Sequence, residues 1–251
     1  MGVLLHSYLF LIGLALGSFF NVVGLRVPIK QSIVTPRSSC PTCERELSSF
    51  ELIPVFSYLF QRGKCKGCSS SISPIYAWIE IVTAILFTTA PFLIGWSKEL
   101  VISYGLISLL VIIFVSDTVY MLIPDRILLF FAVYFVLGRM MVPMDPWYSP
   151  LIGVIGGFLL LLVIAVISNG GMGGGDIKLF ALLGLVFGYQ ELIIVFFFST
   201  LFGTIVGVSG VLVGKVKRKQ PIPFGPYVGL AALITYFYGA QLIQWYDSFF
   251  V

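Results

Sequence analysis

The sequence predicts an all-α polytopic membrane protein of about eight transmembrane helices, with a small cysteine-bearing cytoplasmic domain between helices 1 and 2. Three observations carry this. Of 251 residues, 59% are hydrophobic and only 10% charged, whereas a soluble domain carries about 25% charged residues. Apolar runs long enough for a bilayer recur along the chain. The basic residues gather in loops that fall on one side of those runs. The same composition excludes a soluble globule and a disordered chain. A single His excludes any site built from a histidine cluster.

The apolar runs cover roughly residues 3–25, 76–96, 100–116, 127–142, 150–168, 177–188, 190–213 and 227–245, set against the ~20 residues that cross a hydrocarbon core. The sixth is short and reads as a tilted helix leaning on its neighbours. The first has its positive residues after it, from Arg26 onward, and no small-x-small cleavage site, so it reads as a retained anchor and not a signal peptide. An even number of spans puts both termini on one side. With the termini outside, every one of the 15 basic residues except Lys98 and Arg139 falls inside, as the positive-inside rule asks. The same partition sets the segment 26–75, Asp117, Asp125 and Asp176 at the cytoplasmic face. The run from Lys215 to Lys219 reads as a stop-transfer anchor lying on anionic lipid. Three regions follow: a first helix (1–25), a cytoplasmic domain (26–75) and a membrane-embedded remainder (76–251).

All four cysteines lie in the 26–75 segment, as Cys40-Pro-Thr-Cys43 and Cys65-Lys-Gly-Cys68. Two CxxC knuckles at about this separation match a tetrathiolate zinc ribbon. Two disulfides or a redox pair are the competing readings. The charge rule puts the loop in a reducing compartment, where structural disulfides are rare, and no βαβ pattern surrounds either pair. A domain of this size has little core and gains from such a staple. A closed site of four thiolates is structural, with no open position for water.

Asp117 closes a long apolar run, and Asp125 follows in a D-x7-D arrangement through Ile123-Pro124. A carboxylate at a span costs roughly 3 kcal/mol on insertion scales and is a functional candidate by default. The plainer alternatives are an interfacial acid for Asp117 and a helix-start acid, favoured by the dipole, for Asp125. A second acidic element reads Gly170-Gly171-Met172-Gly173-Gly174-Gly175-Asp176-Ile177-Lys178. Its glycines permit backbone angles closed to other residues and close approach of another backbone. A phosphate loop needs a GxxxxGK[ST] order, and Asp176 stands where the anion would dock. A plain flexible loop is the other reading. Asp117 and Asp176, on different helices at one membrane edge, would suit an aspartyl dyad, with one proton shared between two like charges. His6, on the opposite face, offers no competing nucleophile–base pair.

These elements resemble, in order, those of the type IV prepilin peptidases, the leader peptidase/N-methyltransferases of the GxGD aspartyl protease group. The chain looks most like the competence-type peptidases of Gram-positive bacteria. The matching stretches are Gly17-Ser18-Phe19-Phe20-Asn21-Val22-Val23, Arg37 to Cys43, Ile53-Pro54, Gly63 to Cys68, Glu80, the D-x7-D element, Gly171 to Leu179, and Ile222-Pro223-Phe224-Gly225-Pro226. The resemblance implies cleavage of a short basic leader from prepilins and pilin-like precursors, with Asp117 and Asp176 as the catalytic pair. Gly173, Gly174, Gly175, Asp125 and Lys178 would position substrate. It further implies methylation of the new N-terminus from S-adenosylmethionine, which would involve Gly63, Lys64 and Glu80, although the sequence contains no nucleotide-binding fingerprint. Precursors and the lipid bilayer are the expected partners, and no nucleic acid is expected. Two other classes remain in play: a proton-coupled transporter using the two aspartates, and a membrane adaptor docking through its ribbon. The transporter lacks an internal repeat and midplane acids, and the adaptor leaves the Gly-rich acidic turn unexplained.

Overall fold

The structure, a computed structural model, describes residues 2–169, 171–214 and 222–248. Gly170 and the basic run Lys215–Lys219 lie outside the described residues. The described residues are helical throughout, apart from loops and two isolated β-bridges. They form two compact units, Met1–Gly95 and Trp96–Val251.

The first unit holds α1 (Gly2–Arg26), a 3-10 turn (Ser49–Leu52), the short α2 (Phe56–Phe60) and α3 (Ile75–Ile94). α1 and α3 pack along each other. They approach closely because Gly17 faces α3: a Cβ there would stand 2.8 Å from Glu80 Cα, the small-residue packing typical of membrane helices. His6 stacks on Phe92 with ring centroids 4.0 Å apart. The unit ends after α3, later than the composition boundary at 75, because α3 packs on α1.

The second unit holds α4 (Glu99–Tyr120), α5 (Asp125–Met141), α6 (Ser149–Ile167), α7 (Gly174–Leu212) and α8 (Gly225–Asp247). α4 is buried along most of its length, with Ile102, Leu106 and Leu109 fully enclosed. It packs on α5 and α8, while α7 packs on α5, α6 and α8. At 22 residues, α4 spans about 33 Å, enough for a ~30 Å hydrocarbon core.

Among the described residues, six helices are long and apolar enough to cross a membrane. α5 has 17 residues, slightly less than the others. α7 has 39 but is not one span. The Phe180 and Phe196 rings lie 6.1 Å apart, whereas an unbroken helix would separate these residues by about 24 Å. The chain therefore doubles back at Gly188, whose φ of 69° and ψ of −173° interrupt the helix. The arms 174–187 and 189–212 are the sixth and seventh apolar runs of the sequence, so all eight runs are helical. The short sixth segment does lean on a neighbour: a Cβ at Gly153 of α6 would stand 2.4 Å from the Gly184 carbonyl oxygen.

Gly188 is required twice over. Its backbone lies in a region essentially reserved for glycine, and a Cβ would stand 2.2 Å from Ser149 Oγ. Gly188→Ala is expected to destabilise the protein by at least about 1–3 kcal/mol. A lowered unfolding temperature in detergent checks this, and an unchanged one refutes it.

The break also frees the Val186 carbonyl from its helical partner, and the Arg139 guanidinium donates to that oxygen. Arg139 pairs through Nη1 with Glu99 Oε1 at 3.1 Å, and Tyr236 donates its hydroxyl to the same oxygen at 3.0 Å. Arg139, which the sequence reading treats only as one of two outward-lying charges, is thus a mostly buried tie between α4, α5, α7 and α8.

Candidate active site and metal centre

The second unit brings the two aspartates together. α4 ends just beyond Asp117. Met121 takes the left-handed conformation (φ 53°, ψ 39°) and donates its N–H to the Asp117 carbonyl at 2.9 Å. Ser116 donates its hydroxyl to the Leu122 carbonyl at 2.8 Å, which turns the chain outward. Pro124 is the N-cap of α5, and Asp125 is its first residue, where an acid complements the helix dipole. The D-x7-D element is therefore a helix end, a turn and a helix start, with its two acids on different helices.

Asp117 is buried, 5% exposed. The Gly225 N–H, at the start of α8, donates to its Oδ2 at 2.7 Å. A Cβ at Gly225 would come 2.8 Å from that same oxygen, so the glycine admits the carboxylate. Asp176 sits half-buried in the first turn of α7, its N–H bonded to the Gly173 carbonyl at 3.1 Å. Asp176 lies near enough to Asp117 to sense its charge.

Of the two uses the sequence suggests for the glycines before Asp176, close approach is the one seen among the described residues. Among the described ones, none has positive φ, so space, not backbone freedom, is what they supply. A Cβ at Gly173 would stand 2.9 Å from Asp176 Oδ2, and one at Gly175 2.8 Å from Ile123 Cβ. Gly174 has nothing within 4 Å. Gly175 thus lets the turn after α4 rest directly on the start of α7. Lys178 donates to both Asp125 oxygens at 2.8 Å, tying α5 to α7 through an exposed pair worth at most about 1 kcal/mol. Gly225, and Ile123 as the packing partner of Gly175, are the residues that reasoning from chemistry alone passes over. Their only sequence signal is that each lies in a stretch that resembles the family.

In the first unit the four cysteine Sγ atoms lie within 4.8 Å of one another, with no disulfide. Cys40–Cys68 is 3.8 Å and Cys43–Cys65 is 4.0 Å. Thiolates around a tetrahedral zinc at ~2.3 Å would be about 3.8 Å apart, so the donor set fits that ion. The two knuckles repeat one design. Each is closed by a bridge, Ser39 to Glu46 and Lys64 to Ser71, and each turns at a positive-φ residue, Glu44 or Ser69. The backbone N–H groups of Cys43 and Thr42 lower the Cys40 thiol to about 5. Those of Cys68 and Gly67 lower Cys65. Cys43 is instead pushed up to about 11: the Arg45 backbone pulls it down, but desolvation and the neighbouring Cys68, Cys40 and Cys65 thiols outweigh that. A bound cation would relieve that crowding. Arg45 pairs with Glu51 at 2.7 Å, and that guanidinium, with the Ser48 backbone, holds the Glu51 carboxyl down at about 2.

Gly63, Lys64 and Glu80 each have their own local place in the first unit. Gly63 (φ 67°) turns the chain into the second knuckle against Tyr58, and Lys64 is exposed beside it. Glu80, buried on α3, accepts the Val55 N–H at 2.7 Å. It thereby holds Val55 at φ 61°, a conformation rare for a β-branched residue.

Two family models match the chain: the bacterial peptidase A24 N-terminal domain over residues 11–94 and the type IV leader peptidase family over residues 104–208. The chain is 48% identical to a prepilin leader peptidase/N-methyltransferase of Bacillus subtilis (strain 168), over 96% of this chain and 97% of that protein. It is 32% identical to one of Aeromonas salmonicida (strain A449), over 98% and 94%, and 31% identical to one of Pseudomonas aeruginosa, over 95% and 92%. No solved structure matches. With near full-length coverage on both sides, and with both family models falling in chain order on the two units, the chain belongs to the type IV leader peptidase family.

Proposed function

We propose that this protein is an integral-membrane aspartyl endopeptidase that removes the basic leader from type IV prepilins and pilin-like precursors, Asp117 and Asp176 forming the catalytic dyad. The observation that carries the reading is the pairing of a buried Asp117, fixed by the Gly225 N–H at 2.7 Å, with Asp176 at the head of α7 within range of its charge. Two such carboxylates share one proton. The ionised member takes a proton from water as the water oxygen attacks the scissile carbonyl. The protonated member donates to the leaving amine as the C–N bond breaks. Gly173 and Gly175 leave room for the carboxylate and for the turn that carries Asp117. Asp125 and Lys178 hold α5 to α7 beside them.

The basic residues support an orientation with both termini outside and with 26–75 and the aspartates at the cytoplasmic face, where a precursor's leader meets its apolar helix. The relatives' names include N-methyltransferase, which supports methylation of the new N-terminus, with S-adenosylmethionine as donor, as a second activity. Gly63, Lys64 and Glu80 in the first unit are the residues proposed to serve it. Mass spectrometry of the N-terminus of a co-expressed precursor tests both activities. A shortened, methylated terminus is expected, and an uncut precursor overturns the reading.

Zinc is the proposed ion for Cys40, Cys43, Cys65 and Cys68, and it would tie the two knuckles of the 26–75 domain together. About one zinc per chain is expected. A Cys40→Ser/Cys43→Ser protein should lose it and become protease-sensitive within 26–75 while its membrane helices persist. Metal analysis that finds no zinc in the purified parent refutes this.

A further inference from the structure

The second unit carries a groove of about 700 Å3 between α5, α6 and α7. Its walls are apolar, with Ala132 and Val136 from α5, Val154 and Ile155 from α6, and Leu182 and Leu185 from α7. Its polar residues, Asp125, Arg126 and Lys178, stand at one end, where α5 and α7 begin.

The groove lies on the far side of α7 from the dyad. Lys178, Ala181, Leu182 and Leu185 fall on one helical face, at the i, i+3, i+4 and i+7 spacing. Asp176, Leu179, Phe180 and Leu183 fall on the opposite one, and the last three are wholly buried. The occupant is therefore not the segment being cut. At about 700 Å3 the groove falls within the roughly 300–1,000 Å3 of a small-ligand cavity, which suits acyl chains.

Charge identifies the headgroup. Lys178 and Asp125 neutralise each other at 2.8 Å. Arg126 is exposed and has no ion pair among the described residues. Two helix N-termini add partial positive charge at the same end. The one acid of the rim is already taken, so a zwitterionic lipid's cation finds no partner, whereas a net negative phosphate does.

We propose that this groove is a binding site for one anionic phospholipid, its acyl chain laid between α5, α6 and α7 and its phosphate held by Arg126 beside the neutral Asp125–Lys178 pair. The site is separate from the dyad, and its test does not depend on proteolysis. The full chain, purified in mild detergent, would be equilibrated with phosphatidylglycerol or phosphatidylcholine and the retained lipid counted by native mass spectrometry. The parent should retain phosphatidylglycerol in preference. Arg126→Gln should weaken that retention about fivefold, the usual effect of one basic residue on anionic lipid, and leave phosphatidylcholine unchanged. Ala132→Phe, which fills the groove, should reduce retention of either lipid. Should Ala132→Phe prove unstable, Val154→Phe fills the same space from α6. Equal retention of the two lipids by the parent overturns the proposal, as does an unchanged phosphatidylglycerol count in Arg126→Gln. A photoreactive residue at Leu129, on the groove wall, should capture lipid, and capture of a prepilin there in its place would also overturn it.

Discussion

Asp117→Asn and Asp176→Asn proteins are each expected to insert normally and to process a prepilin at least about a thousandfold more slowly than the parent. General acid–base catalysis contributes typically 10²–10⁴-fold, and each change removes one member of a pair that works only as a pair. Neither should unfold the protein. An Asn side chain keeps the shape, and its carbonyl oxygen still accepts the Gly225 N–H that now reaches Asp117 Oδ2 at 2.7 Å. Asp125→Asn supplies the contrast. Its carboxylate is 70% exposed and engages only Lys178 among ion pairs, so its loss should cost less than about tenfold, in keeping with an exposed pair of at most about 1 kcal/mol. Gel-based processing assays on membranes carrying equal amounts of each variant decide the matter. Parental rates in Asp176→Asn would sink the dyad, and a thousandfold loss in Asp125→Asn would move that residue into the chemistry.

The spans were legible because bilayer burial demands long apolar runs, and nothing in the chain's loops imitates one. The hairpin at Gly188 shows the same logic: the short run 177–188 and the run 190–213 were distinct in sequence, and one glycine in a non-helical conformation separates them. The cysteines were legible because two CxxC pairs mark a four-thiol donor set whatever fold carries them. What sequence could not supply was the partner of each buried polar group. The donor to Asp117 is a backbone N–H, which every non-proline residue has, so Gly225 carries no chemical mark of its role. Glu80 is a second case. Its carboxylate accepts the Val55 N–H and so holds a rare backbone conformation 25 residues away in the chain, a contact no motif announces. Arg139 likewise reads as a loop charge but serves a helix break 47 residues away in the chain.

Replacing Gly175 with Val is expected to lower prepilin cleavage by at least about tenfold without loss of insertion. The sequence suggests that glycines here let an extended substrate approach. The structure gives a more specific cause, since the Gly175 Cα faces Ile123, and a Cβ would stand 2.8 Å from the Ile123 Cβ. Both atoms sit next to backbone, so neither can swing aside as a flexible side-chain end would. The turn after α4 must move outward, and Asp117, one turn back on α4, moves relative to Asp176. A displacement of about an ångström can cost about a hundredfold. Gly173→Val should also slow cleavage, because its Cβ would meet Asp176 Oδ2 at 2.9 Å and turn the carboxylate away. Gly174→Ala is the control, with open space around the added methyl, and should process precursor within about threefold of the parent, its helical position favouring Ala over Gly. A uniform penalty across all three positions would mean that the turn needs flexibility and not room. A Gly175→Val protein that processes at the parental rate would show that the contact with Ile123 does not set the distance between the two aspartates.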